Sequence, residues 1–185
     1  MMKKKKKIIL GGGSPPPSSE IVAYATEGLK PTSKIVYLTI RHGGALKYEK
    51  QIREQFYAAG FFHVQTIIGN RISKKELLKG IKSADLILIG SGITLKYARI
   101  FVKGRVKEAL IKAYHQGVPL MGFSAGSLIM PETMLISYKD NPFGIRVKKG
   151  LGLLKDTVIS AHYSKWREHR MLRSGLKKAG VSVGY

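Results

Sequence analysis

Short runs of apolar, mostly β-branched residues alternate along this chain with longer stretches whose apolar residues recur every three or four positions. The first pattern suits strands buried on both faces; the second suits helices that cover a sheet with one face. Residues 7–10, 35–40, 62–68, 86–89, 118–123 and 157–160 are the strand candidates. Residues 45–59, 73–82, 102–116 and 164–179 carry the helical period, and Ser73 with Glu76 has the spacing of a capping box. Such alternation predicts βαβ units and an α/β fold with a mostly parallel sheet. Most strand candidates run into Gly, Ser or His, so their turns are expected to share one functional edge.

At 185 residues the chain is expected to form one domain, spanning 1–185, with a core that needs no disulfide or metal. No apolar run approaches the roughly 20 residues that cross a bilayer, so no membrane partner is expected. Lys3 to Lys7 resembles a signal-peptide start, but only Ile8-Ile9-Leu10 follow before three glycines, too few for its apolar core. The sequence has no cysteine, which fits a reducing compartment, and a cytoplasmic location is the expectation.

The 33 basic residues against 11 acidic ones give a net charge of +22, enough to attract polyanions. The basic residues are mostly scattered lysines, without the Arg-rich or aromatic-interleaved runs that read bases. A solvated lysine surface is therefore favoured over a nucleic-acid partner. Gly11-Gly12-Gly13-Ser14-Pro15-Pro16-Pro17-Ser18-Ser19 could cradle phosphate, yet it has neither Gly-x-Gly-x-x-Gly nor a Lys-Ser/Thr ending. A mobile loop over the sheet edge is the expectation there, and no cofactor or metal is implied.

The sharpest chemical signal is Gly122-Phe123-Ser124-Ala125-Gly126, directly after the strand candidate 118–123 and before a short helical start that Pro131 ends. Gly-x-Ser-x-Gly between strand and helix is the pattern of a nucleophile elbow, in which small neighbours let the serine take a strained turn. The Ala125 N–H and the helix dipole would then face a developing oxyanion. A serine hydroxyl needs a base, and His162 sits just past the end of 157–160, at the same edge. His42 ends 35–40 and is the second candidate; His63 begins a strand at the opposite edge, and His115 and His169 fall on helices.

These residues resemble serine peptidase family S51, which includes dipeptidase E and cyanophycinase. Gly122-Phe123-Ser124-Ala125-Gly126-Ser127, Ile89-Gly90-Ser91-Gly92-Ile93-Thr94, Gly150-Leu151-Gly152-Leu153-Leu154 and Ala161-His162-Tyr163-Ser164 match its motifs in order, over roughly residues 6–185. The resemblance implies a flavodoxin-like three-layer α/β/α sandwich of the class I glutamine amidotransferase kind, with serine in place of that group's cysteine. It implies Ser124 as nucleophile, His162 as base, and the N–H groups of Gly92 and Ala125 as the oxyanion hole. Asp140, in Lys139-Asp140-Asn141-Pro142, is the nearest match to an acidic residue that binds the substrate's amino terminus, one residue out of register. Ile93 and Ser91 depart from the family's Gly-Gly-Gly-Asn-Thr loop.

A triad also needs a carboxylate. After Ser124 only Glu132, Asp140, Asp156 and Glu168 are acidic. Asp156 begins the strand that His162 follows, roughly 17–20 Å away for an ordinary strand. Glu168, on the following helical stretch, is expected to face solvent. The resemblance places the third member just after a strand like 180–185, so the chain reads as truncated within that strand. The expected activity is serine-type hydrolysis of small, acidic (aspartyl) peptides. The alternatives are a catalytically impaired homologue that binds a polyanion or protein, and a non-peptidase hydrolase such as an esterase. Oligomeric state is not legible in the sequence.

Overall fold

The computed structural model describes residues 6–41, 45–136, 140–141 and 144–185. Its centre is a five-stranded parallel sheet made of β1 (Ile8–Gly11), β2 (Ile35–Thr39), β3 (Val64–Ile68), β4 (Leu86–Ile89) and β5 (Leu120–Phe123), in the order β1-β5-β4-β2-β3. Counted from β2, the first four strands follow the flavodoxin order 2-1-3-4, and the N-terminal β1 takes the fifth place beside β5. The central strands β2, β4 and β5 are buried at every position, which is why they read as unbroken apolar runs.

Their alternate side chains feed two cores. Val36, Leu38, Ile87, Ile89 and Leu120 pack on one face against α3 (Lys74–Lys82), α4 (Thr94–Phe101) and α5 (Gly104–His115). Ile35, Tyr37, Leu86, Leu88, Met121 and Phe123 pack on the other against α1 (Ser19–Thr26) and α2 (Ala45–Ala58). The result is a three-layer α/β/α sandwich. The capping box at Ser73 is present, with Ser73 Oγ accepting from the Glu76 N–H at 3.2 Å and Glu76 Oε2 accepting from the Ser73 N–H at 2.9 Å. It satisfies two otherwise orphaned N–H groups.

Several features differ from expectation. The stretch 102–116 is the end of a helical pair: α4 stops at Phe101 and α5 restarts at Gly104. After α6 (Ala125–Leu128), β6 (Thr133–Ile136) and β7 (Arg146–Lys149) form an antiparallel ribbon outside the main sheet. Finally, 157–160 is not a strand of the parallel sheet. Only β8 (Thr157–Val158) forms, paired in parallel with β9 (Val183–Gly184) in a small separate sheet. Ser124 and His162 therefore do not come from adjacent strands of one sheet. The last helical stretch is also divided, into α7 (Tyr163–Trp166) and α8 (His169–Ala179), with Arg167 in the left-handed region at φ 52°. Among the described residues no helix is long and apolar enough to cross a membrane.

Candidate active site

Ser124 stands between the last residue of β5 and the first of α6, at φ 48° and ψ −112°. A positive φ in a non-glycine residue costs about 1–2 kcal/mol and persists only where its surroundings enforce it. Here they do. The Ser124 N–H donates to the Gly11 carbonyl at 3.0 Å, and the Gly126 N–H donates to the Gly90 carbonyl at 3.1 Å. Ser127 Oγ donates toward the Gly11 and Gly122 carbonyl oxygens, at 2.9 and 2.6 Å.

The two flanking glycines are needed because backbones meet at this turn. A Cβ on Gly122 would lie 2.6 Å from the Gly126 carbonyl carbon, and one on Gly126 would run into the Ile89 carbonyl oxygen. The Gly-x-Ser-x-Gly spacing is thus the condition for β5, α6 and the end of β4 to close on one another.

His162 reaches this turn from outside the main sheet. It occupies the left-handed region (φ 57°), which histidine enters more readily than most residues, and its N–H donates to the Gly12 carbonyl at 2.7 Å. The His162 Nε2 lies 3.1 Å from Ser124 Oγ. Trp166, one turn on, packs its ring on the imidazole, with centroids 4.4 Å apart and planes 36° from parallel. The glycine-rich segment, expected only to cross the sheet edge, thus supplies carbonyls to both residues of the pair.

The electrostatics favour a neutral imidazole. Burial holds the His162 pKa below the ordinary 6.5, and the Lys165 ammonium lowers it further, while the Glu168 and Asp140 carboxylates pull the other way. A neutral ring protonated at Nδ1 leaves Nε2 to accept the hydroxyl proton. That is the relation by which an imidazole activates a serine.

The other residues singled out from sequence are distributed around this pair. Ala125 is the first residue of α6 and fully buried. Gly92 lies in the loop from β4 to α4, a loop joined to the serine turn by the Gly126–Gly90 bond. Asp140 Oδ2 accepts from the Thr94 N–H at 3.0 Å and from the Thr94 hydroxyl, so its carboxylate caps α4 right beside that loop. Asp156 stands in the turn before β8. His42 lies outside the described residues.

Glu168 departs from expectation: it does not face solvent but is 2% exposed, and its Oε2 accepts from Ser160 Oγ at 2.8 Å. The sequence shows an unbroken helical period here, whereas Arg167 interrupts the helix and resets its phase, turning Glu168 inward. No sequence signal marks that break. Among the described residues no group of three or more His, Cys, Asp or Glu side chains is placed to hold a metal ion.

No curated protein matches the chain. A peptidase from an acI-B1 Actinobacterium superposes with a TM-score of 0.69 at 16% identity, over 95% of this chain and 75% of that one. A putative peptidase E protein from Listeria monocytogenes EGD-e gives 0.70 at 16% identity, over 97% and 89% of the two chains. At such identity these likenesses establish the α/β/α fold alone. The family model named Peptidase family S51 matches residues 33–177, most of the sequence, and on that match the chain belongs to peptidase family S51, a serine-type peptidase family.

Proposed function

We propose that this peptidase works by Ser124–His162 nucleophilic catalysis on small, acidic peptides. The observation that carries the reading is the 3.1 Å contact between Ser124 Oγ and His162 Nε2 at a strained strand-to-helix turn. Ser124 Oγ attacks the peptide carbonyl carbon as its proton passes to His162 Nε2. The carbonyl π electrons move to oxygen, and the Ala125 and Gly92 N–H groups hold the oxyanion. Collapse breaks the C–N bond, His162 returns the proton to the leaving amine, and water repeats the sequence to release the acid. In this reading the turn at Ser124 is a nucleophile elbow.

The preference for acidic, aspartyl substrates is supported by the +22 net charge, by the resemblance to dipeptidase E, and by the likeness to a protein described as a putative peptidase E. Asp140 meets the substrate's free amino group in the same reading. Asp140→Asn keeps an acceptor for Thr94 but removes the charge. It is expected to raise KM for free-amino dipeptides about tenfold or more, with a smaller change in kcat. An unchanged KM would remove Asp140 from the substrate site.

The direct test is labelling with a fluorophosphonate, which forms the Ser124 Oγ–P bond as P–F breaks and fluoride leaves. Mass spectrometry is expected to place the label on Ser124, and an Asp-Xaa panel to show turnover. Because the His162 pKa is held low, only its neutral form is the base; the labelling rate should rise with pH through a midpoint below 6.5 and then level off. No labelling of folded protein would count decisively against the reading.

A second reading has its own observation. Arg99, Lys103, Arg146, Lys148 and Lys149 line one groove between α4 and β7. Steeply salt-dependent retention on nucleic acid, with no hydrolysis, would favour a polyanion-binding homologue instead.

A further inference from the structure

The buried Glu168 has no part in the reaction as written above, yet it is held against the segment that carries the histidine. Three observations place it there. It is 2% exposed, at the break between α7 and α8. Its carboxylate is bonded to Ser160 Oγ, two residues before His162. Its backbone N–H donates to the Tyr163 carbonyl at 3.0 Å, which closes the His162–Glu168 segment into a compact loop.

We propose that Glu168 is the positioning carboxylate of His162, holding the segment that presents the imidazole and stabilising the positive charge the ring takes on when Ser124 loses its proton. The loop explains how one side chain does both. His162 and Arg167 are both in the left-handed region, so α7 is a single helical turn with a strained residue at each end. The Ser160–Glu168 bond joins its two ends, while Trp166 packs on the ring from within.

Electrostatics agree with the geometry. The charged groups acting on His162 are Lys165 from α7, Glu168, and Asp140 from beside α4; of the two carboxylates Glu168 exerts the stronger pull toward the protonated ring. Inside protein a buried carboxylate acts on a developing imidazolium through a lower dielectric than water, so its charge counts for more than at the surface. Asp140 Oδ2 also accepts from the Thr94 N–H and hydroxyl.

The inference rests on Ser124–His162 catalysis for its kinetic consequence, but its first readout does not need activity. The ring of His162 is titrated by NMR in the full chain and in Glu168→Gln, which keeps an acceptor for Ser160 and removes the charge. The His162 pKa is expected to fall further. In parallel, the plateau rate of fluorophosphonate labelling is expected to fall at least about tenfold, below the roughly 10⁴-fold ceiling for loss of a triad carboxylate, while its midpoint moves to lower pH. A merely structural role would lower the rate without moving the midpoint. Glu168→Asp, which keeps the charge, is expected to recover most of both properties.

If Glu168→Gln does not fold, Ser160→Ala removes the hydroxyl bonded to the carboxylate while keeping the carboxylate itself, and labelling is expected to drop at least threefold. An unmoved His162 titration in folded Glu168→Gln overturns the proposal, as does unchanged labelling and titration in Ser160→Ala. Absence of labelling in the unsubstituted protein would instead strike the catalytic reading, leaving the titration to judge Glu168 alone.

Discussion

Replacing Ser124 with alanine is expected to abolish fluorophosphonate labelling and to cut peptide turnover by about 10⁴–10⁶-fold, to the level left by binding alone. The fold should survive, because the bonds that shape the turn are made by backbone groups and by Ser127, not by the Ser124 hydroxyl. Ser124→Gly separates strain from chemistry. Glycine has no Cβ to oppose φ 48°, so this variant should be more stable than the parent by about 1 kcal/mol while equally inactive. Thermal unfolding and labelling of the same samples read both effects. Residual labelling in either variant would mean that another nucleophile carries the reaction.

The second large effect is expected at Gly126. An added methyl group there meets the Ile89 carbonyl oxygen, a backbone atom at the end of the middle strand that cannot rotate aside. Gly126→Ala should therefore push α6 away from β4, break the Gly126–Gly90 hydrogen bond, and cost about 3 kcal/mol. For a chain of this size that corresponds to a fall in Tm of about 6–12 °C. Activity should fall further than stability does, since Ala125 and the Gly92 loop are held to the serine turn through the same contact. A Gly126→Ala protein with parental Tm and parental labelling would show that the turn is not as tightly closed as the geometry indicates.

What the sequence made legible follows burial. β4 forms over the whole of 86–89, and β2 over all but the last residue of 35–40, because strands covered on both faces leave no polar position to confuse the pattern. The serine turn was legible because close backbone approach forces glycine at two fixed positions, and the histidine because it follows a strand-like run. α1 was hidden behind the proline-rich segment, and α4 behind a lysine-containing stretch next to a glycine-rich loop. β7, Arg146–Lys149, is nearly all charged and exposed; only its pairing with β6 makes it a strand. β8 reads as a strand of the main sheet because local sequence does not encode which sheet a short apolar run joins. Glu168 was misplaced for a related reason: periodicity carries a helix's phase forward, and one residue at φ 52° is enough to lose it.

The last residue of the N-terminal strand and the one after it present two consecutive carbonyls, Gly11 bonded to the Ser124 N–H and Gly12 to the His162 N–H. That dipeptide works as a common datum for two residues that come from different sheets and lie 38 positions apart in the chain. Their spacing therefore depends on how firmly the first strand is seated against β5, more than on the route the chain takes between them. Extensions or tags that tug on residues just before Ile8 should register at the Ser124–His162 pair before they register anywhere else in the sandwich.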